Sequence, residues 1–554
     1  MIPDSRNVKR EIIIPKNKYN NAEEGDKVLC RIINPEKIED KNYDLGGEIV
    51  KILGKAGNEE TEYNSLLYKF GLEEIFPDEV IKEVQKRTAI TDIKNREDYR
   101  DKICFTIDPE DAKDYDDAVS LELTKDNNYL LGVHISDVSE YVRENTALDR
   151  EAFRRGTSVY LANRVVHMLP QKLSNDLCSL KEKEDRLTFS VIIKINKQGT
   201  IKDYSIEKSV INSKRRFTYE EVQKIIDSKK GEFSEIISMM NNLAKKLTSK
   251  RLKEGSLDFE TREPKFIFDE KGKLKDIKIY DRLDSMRMIE EFMLLANKCV
   301  TEYVKELSKS ERRQYEFIYR VHDYPDPEKL NDLTEYIEQF GYDFNINEKD
   351  SINRLLEMIK GKPEEYIINN LLIRSMAKAI YTNKNIGHYG LGFQYYTHFT
   401  SPIRRYPDLI VHRILKEYLF NNKNINKKIL ELRKSLPDIC KHTSETEQNA
   451  VYAEREYSKL LQIKYLTSHI GDEFEGVISG MTSFGMFVEL DNIMAEGLIR
   501  FRDIEDDFYE YDEKRHCAVG RRRRKEFHSG QKVKVQIINA SLETKKIDLI
   551  LIDN

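Results

Sequence analysis

"FTIDPEDAKDYDDAVSLEL", Phe105 to Leu123, puts Asp108, Asp114, Asp116 and Asp117 close together just before an alternating apolar run. Like charges repel, so these carboxylates need something cationic among them: basic side chains, solvent counterions or a bound metal. The same stretch decides the local fold. "KICFTI" reads as a strand with Asp108 at its end, and "AVSLEL", the turn "TKDNN" and "YLLGVHI" read as a hairpin. The four aspartates therefore occupy the loop joining two strands and the first position of the second strand. A loop can aim all four inward. On a straight strand Asp116 and Asp117 would face opposite sides.

Two readings of the loop stand side by side: a solvated acidic turn in a chain rich in Asp and Glu, or a metal site. An EF-hand is excluded, because counting from Asp108 the sixth position is Lys113, where Gly is needed, and the twelfth is Val119, where Glu is needed. The metal reading that remains is Mg²⁺, a hard ion held by a few carboxylates, water and substrate phosphate. Two such ions about 3.5–4 Å apart would activate a water and stabilise a leaving oxygen, which is phosphodiester chemistry.

Working outward, "HYGLGFQYYTHFTSPIRRYPDLIVHRIL" from His388 places Arg404 and Arg405 in a turn before a helix that opens near Pro407. Arginine there either makes an ordinary ion pair with Asp408 or grips a phosphate through its planar fork. Tyr160 in "GTSVYLANR", Tyr219 in "RRFTYEEV" and Phe259 in "SLDFETRE" are flanked by polar residues. Such rings either pack or stack on bases of single-stranded RNA. The run Arg521–Lys525 is either a solvated loop or, beside an OB barrel, a track for a phosphate backbone.

Residues 1 to about 75 read as short strands ("EIIIP", "DKVLCRII", "GGEIVKIL") of a small β-barrel, followed by a helix after Pro77. From about 218 to 465 the chain reads as mainly helical. Met286, Ile289, Met293, Ala296 and Val300 mark one buried stripe, and residues 443–468 form a further long helix. From Gly471 five strands predict an OB barrel. The net charge of −5 in a chain that is 34% charged excludes a uniformly basic coat, so any nucleic-acid site is a local patch or a channel. The six cysteines form no C-x-x-C pair, which excludes a zinc ribbon and a disulfide framework and predicts buried free thiols. The N-terminus has no apolar signal core, and no apolar run approaches the roughly 20 residues that span a bilayer. A soluble, cytoplasmic protein without membrane attachment is expected.

"TIDPEDAKDYDDAVSLE", "GVHISDVSEYV", "RGTSVYLANRVVHMLPQKLSNDLCSL", "IEEFMLLAN" and "HFTSPIRRYPDLIVHR" resemble, in this order, the RNase II/RNase R (RNB) family of exoribonucleases. The resemblance spans nearly the whole chain and is nearest to the RNase R branch. "PDSRNVKREIIIP" is similar to that branch's second cold-shock domain, and "GDEFEGVISGMTSFGMFVEL" to its S1-like domain. It implies an α+β multidomain protein. A cold-shock-type OB domain at 1–75 and an S1-like OB domain at 469–554 flank a mixed α/β catalytic RNB domain at 76–468. The chain is expected to open inside the second cold-shock domain, without its first strand, which bears on the grip on long RNA and not on the chemistry.

The resemblance further implies Mg²⁺-dependent, processive 3′→5′ hydrolysis of RNA to nucleoside 5′-monophosphates, acting on single strands and on structured RNA with a 3′ overhang, by a monomer. It implies that Asp108, Asp114, Asp116 and Asp117 hold the metal, with Asp116 and Arg404 catalytic. Tyr160 and Phe259 would clamp the terminal bases. Tyr219 and Glu290, or Glu291 one residue on, would read the 3′-terminal ribose, and Arg405 and Glu454 would also contact RNA. A different class is a catalytically silent RNA-binding protein of the same fold. The complete set of four aspartates and Arg404 favours the enzyme. A DNA exonuclease is opposed by the ribose-reading positions.

Overall fold

The acidic loop sits within a seven-stranded sheet whose strand order is Arg215–Thr218, Cys104–Asp108, Asp117–Leu123, Tyr129–Ser136, Asp185–Ile195, Ile201–Asn212 and Glu97–Tyr99. The structure is a computed structural model and describes residues 1–4, 8, 10–38, 44–89, 93–257, 262–280, 282–338, 340–342, 344, 351–362, 364–420, 424–513, 515 and 517–552. The expected hairpin is present, with Asp117 opposite Ile135 and Leu123 opposite Tyr129. The strand Arg215–Thr218 runs parallel to Cys104–Asp108 and puts Thr218 opposite Asp108. Tyr219, the next residue, thereby arrives beside the acidic loop.

Phe105, Val119, Leu131, Val133 and Phe189 of the sheet share one apolar core with Met288, Phe292 and Cys299 of the helix Asp284–Ser310, and with Leu409 and Val411 of the helix Tyr406–Phe420. Each fully buried side chain of this size contributes about 1.5–3 kcal/mol. The buried face of Asp284–Ser310 is rotated from the expected one. Ile289, Ala296 and Val300 are buried as expected, but the face is centred on Met288, Phe292, Leu295 and Cys299, and Met286 and Met293 are only half-buried. This rotation matters for Glu290 and Glu291.

The C-terminal strands Glu473–Thr482, Gly485–Leu490, Glu496–Arg500, Lys532–Ser541 and Lys546–Leu551 close into the expected five-stranded barrel. Between its third and fourth strands lies a separate sheet of Tyr509–Asp512, Cys517–Gly520 and Glu526–His528. The barrel packs on the end of the helix Ile425–Leu466: Leu460, Leu461, Ile463 and Leu466 share a core with Ile478, Met486 and Val535.

Three features depart from the sequence expectation. The N-terminal region is a three-stranded sheet of Ile12–Ile13, Leu45–Lys55 and Asp26–Ile32, and residues expected as strand or turn form the helix Glu59–Phe70. Asn58 caps that helix by accepting from the N–H groups of Glu60 and Thr61, and Gly71 ends it in the left-handed conformation. The long helix expected at 443–468 starts at Ile425 and runs through Pro437. The helical stretch is interrupted by the hairpin Glu263–Phe268 and Leu274–Tyr280. All six cysteines are free thiols, five of them buried. Among the described residues, no helix is long and apolar enough to cross a membrane.

Candidate active site

The loop that carries the aspartates is pinned along its length. Arg216 donates to the carbonyls of Pro109 (2.5 Å) and Glu110 (2.8 Å). Ser179 accepts from the Tyr115 N–H (3.1 Å) and donates to the Lys113 carbonyl (2.8 Å). Ser136 N–H donates to the Asp116 carbonyl at 2.8 Å. Asp116 Oδ1 accepts the Ile403 N–H at 2.8 Å, which ties the loop to the turn holding both arginines. Sequence reasoning missed Arg216, although it stands three residues before Tyr219 in "RRFTYEEV"; its signal is a strand pairing that only the sheet order reveals.

The two arginines part company. The Arg404 carbonyl accepts from the Ser158 N–H (2.9 Å) and from Thr157 Oγ1 (3.0 Å), so its turn is stitched to the segment carrying Tyr160. The Arg404 side chain is about two-fifths exposed, donates to Ser401 Oγ at 3.0 Å, and holds Nε 3.7 Å from Asp116 Oδ2. Arg405, expected to contact RNA, donates from Nη2 to Asp408 Oδ1 at 2.7 Å and is largely buried. Asp408 is fully buried and also accepts the Ser401 N–H at 2.8 Å. Arg405 thus holds the turn in shape, the ion-pair reading that spacing alone left open. An Asp three residues after an Arg in the first helical turn is the sequence signal for it.

Tyr160 joins the cluster through its hydroxyl, which donates to Asp114 Oδ2 at 2.6 Å, while its backbone N–H donates to Glu454 Oε1 at 3.0 Å. The residue as a whole remains 37% exposed. Tyr219 opens the helix Tyr219–Ser228, which is fixed by a capping box between Thr218 and Glu221. Burial raises its phenol, and the charges of Asp117 and Asp108 raise it further, which puts the ring within electrostatic reach of both. Glu290 is half-buried and paired with Arg282. Glu291 is buried against Arg251, whose Nε lies 3.0 Å away. Phe259 lies outside the described residues. His167 is an addition: its Nδ1 is buried without a partner, and burial lowers its pKa while the charge of Asp114 opposes that shift.

Electrostatically the site is unfinished. Burial and then the neighbouring Asp117 push the Asp108 carboxyl well above the usual range. Burial does the same to Asp116, against the opposing pull of Arg404 and the Ile403 N–H. Burial pushes Asp117 up to about 6, despite Arg404 and Arg405. Asp108 Oδ2 and Asp116 Oδ2 are buried without a hydrogen-bond partner. Orphaned carboxylate oxygens of this kind are costly unless a cation meets them, so these residues fit a hard divalent ion. They do not yet converge as a closed cage. Among the described residues, the one set of three or more His, Cys, Asp or Glu ligand atoms within 4.8 Å of one another is Cys517, Glu526 and His528, far along the chain.

Comparison with known proteins agrees with this architecture. Residues 96–421 match the RNB domain, residues 1–77 a cold shock domain and residues 468–551 the S1 RNA binding domain. Over its full length the chain is 39% identical to ribonuclease R of Thermotoga maritima, covering 79% of that protein. It is 38% identical to ribonuclease R of Aquifex aeolicus, covering 78%. The fold matches that of Mycoplasma genitalium RNase R with a TM-score of 0.89 and 28% identity, across 98% of this chain and 86% of that one. Cold-shock, RNB and S1 domains in this order, around one acidic loop faced by Arg404, make this chain a member of the RNB family, in its ribonuclease R branch.

Proposed function

We propose that this protein is a magnesium-dependent 3′→5′ exoribonuclease that degrades RNA processively to nucleoside 5′-monophosphates. The observation that carries the reading is the pair of buried, unpartnered oxygens on Asp108 and Asp116, with the Arg404 guanidinium beside the second. Carboxylates so placed would repel a bare phosphate; with a cation among them they receive one. Asp108, Asp114, Asp116 and Asp117 would hold the magnesium, which supplies positive charge for the phosphate and an acidified water when bound.

The chain's own residues supply the rest. Arg404, partly exposed at the rim, offers a planar fork to a phosphate oxygen as negative charge builds there. The Ile403 N–H fixes Asp116 so that its free oxygen faces inward. Asp114 anchors the Tyr160 hydroxyl, and the partly exposed side chain offers a stacking surface for a base. Tyr219 and Glu290 are our candidates for the terminal ribose, and Glu454 and Phe259 for the neighbouring nucleotides. The M. genitalium relative has been seen with ribose-methylated single-stranded RNA and with double-stranded RNA, which supports RNA as the substrate, and a single-stranded 3′ end on structured RNA is our reading of what the site engages.

The test is product analysis on uniformly labelled RNA. Nucleoside 5′-monophosphates should accumulate with magnesium and vanish with chelator. Nucleoside 3′-phosphates, or chelator-resistant hydrolysis, would refute the reading.

A further inference from the structure

The small sheet inserted in the C-terminal barrel carries a feature that the RNA chemistry does not use. Its strands Cys517–Gly520 and Glu526–His528 pair antiparallel, with Cys517 directly opposite His528. Directly opposed residues share a face, and so do residues two apart on one strand, so Cys517, His528 and Glu526 face the same way. Their ligand atoms all lie within 4.8 Å of one another. His528 Nε2 is 3.2 Å from Glu526 Oε2. Cys517 is fully buried at the floor and His528 half-exposed at the mouth. A thiol, an imidazole and a carboxylate are the donor set of zinc-class ions, and magnesium disfavours the sulfur.

We propose that Cys517, Glu526 and His528 bind one zinc-class divalent cation, with water completing a tetrahedral shell. Metal–ligand distances of about 2.0–2.3 Å require the three donors to close slightly, which the exposed His528 side chain can do by rotation. Binding takes the proton from Cys517 and displaces Arg515, whose Nη2 now lies 2.9 Å from Glu526. The site spans the base of the hairpin whose tip is the run Arg521–Lys525. Metal there ties the two strands that present the basic tip.

The test is titration of the full-length protein with Co²⁺ in excess Mg²⁺, which keeps the aspartates occupied. The expected result is a thiolate-to-cobalt charge-transfer band that saturates at one equivalent and is displaced by Zn²⁺. Cys517→Ser should abolish the band, and His528→Gln, at an exposed position that tolerates change, should weaken cobalt binding by about tenfold or more. Absence of the band in the wild type would overturn the site, as would an unchanged band in Cys517→Ser. Unaltered affinity in His528→Gln would do the same and leave Arg515, Glu526 and His528 as an ordinary ion-pair cluster.

Discussion

Arg404 Nε stands 3.7 Å from Asp116 Oδ2, an oxygen that is buried and has no hydrogen-bond partner. The neighbouring Arg405 is turned away, into Asp408. Arg404→Lys should therefore lower turnover by about 10²–10³-fold while RNA affinity stays near wild type, because a point charge cannot replace a fork on developing phosphate charge. Arg405→Met should act on stability, by about 3–5 kcal/mol, because it leaves Asp408 buried and uncompensated. Single-turnover kinetics and urea unfolding of both variants check this. A stable Arg405→Met with abolished turnover would reverse the two roles.

Tyr160 has two separable parts. Tyr160→Phe keeps the ring and removes the hydroxyl bond to Asp114. A hydrogen bond to a charged group is worth about 1.5–3 kcal/mol, so slower turnover is expected with an unchanged limit product. Tyr160→Ala also removes a stack worth about 1–3 kcal/mol and should leave a longer limit oligonucleotide. Gel sizing of end products from both variants distinguishes the two parts. Identical end products in wild type and Tyr160→Ala would count against the ring as a base clamp.

Asp117 predicts a pH dependence. Its carboxyl is held at about 6 by burial, above the ordinary carboxylate value of 3.8. The folded protein therefore holds a proton there that the unfolded chain has released, and the contribution of Asp117 to stability falls as pH rises from about 4 through 6. Asp117→Asn removes that dependence. In chelator its melting temperature should exceed that of the wild type at pH 8, with the gap shrinking toward pH 5. Equal gaps at both pH values would mean that Asp117 is ionised throughout.

The basic run is partly spoken for. Arg521 pairs with Glu510 and Lys525 with Asp506, while Arg522 lies over the exposed ring of Phe508 at 5.4 Å. Replacing Arg522, Arg523 and Arg524 together by Ala should weaken binding of a long homopolymer. It should also reduce the logarithmic salt slope by about 0.7 for each phosphate that is no longer neutralised, with cleavage of short oligomers unchanged. An unaltered slope would show that this loop does not meet RNA. Removing the whole barrel is a poorer experiment, because it would strip the apolar cover from Leu460, Leu461 and Leu466.

The C-terminal barrel was legible because its alternating apolar residues and intervening turns are local signals, and all five strands fell where periodicity put them. The acidic loop was legible for the same reason, since strand, loop and hairpin follow one another without interruption from Cys104 to Ser136. The helix Glu59–Phe70 was hidden because its cap Asn58 and stop Gly71 stand in a stretch rich in turn-formers after two β-rich runs. The helix that ends the catalytic region opens at Ile425, well before the expected start at 443, and carries Pro437 inside it. Register at the arginines had only a weak local signal, the Arg405–Asp408 spacing; the burial of Asp408 and the Ile403–Asp116 bond, formed across the fold, decide which guanidinium faces the aspartates. The orientation of Glu290 and Glu291 likewise follows from Arg251, a partner on another helix.

Asp116→Asn addresses the central claim most directly. The amide can still accept the Ile403 N–H, so the fold of the loop is kept, and one charge is removed from the cluster. On a 5′-labelled single-stranded RNA with magnesium, the wild type should shorten the label stepwise from the 3′ end. The variant should bind with similar affinity in a gel shift yet cleave more slowly by about 10³-fold or more, the several kcal/mol that a metal-centred cluster supplies. Wild-type protein that binds this RNA without shortening it, or a variant that turns over at the wild-type rate, would contradict the account.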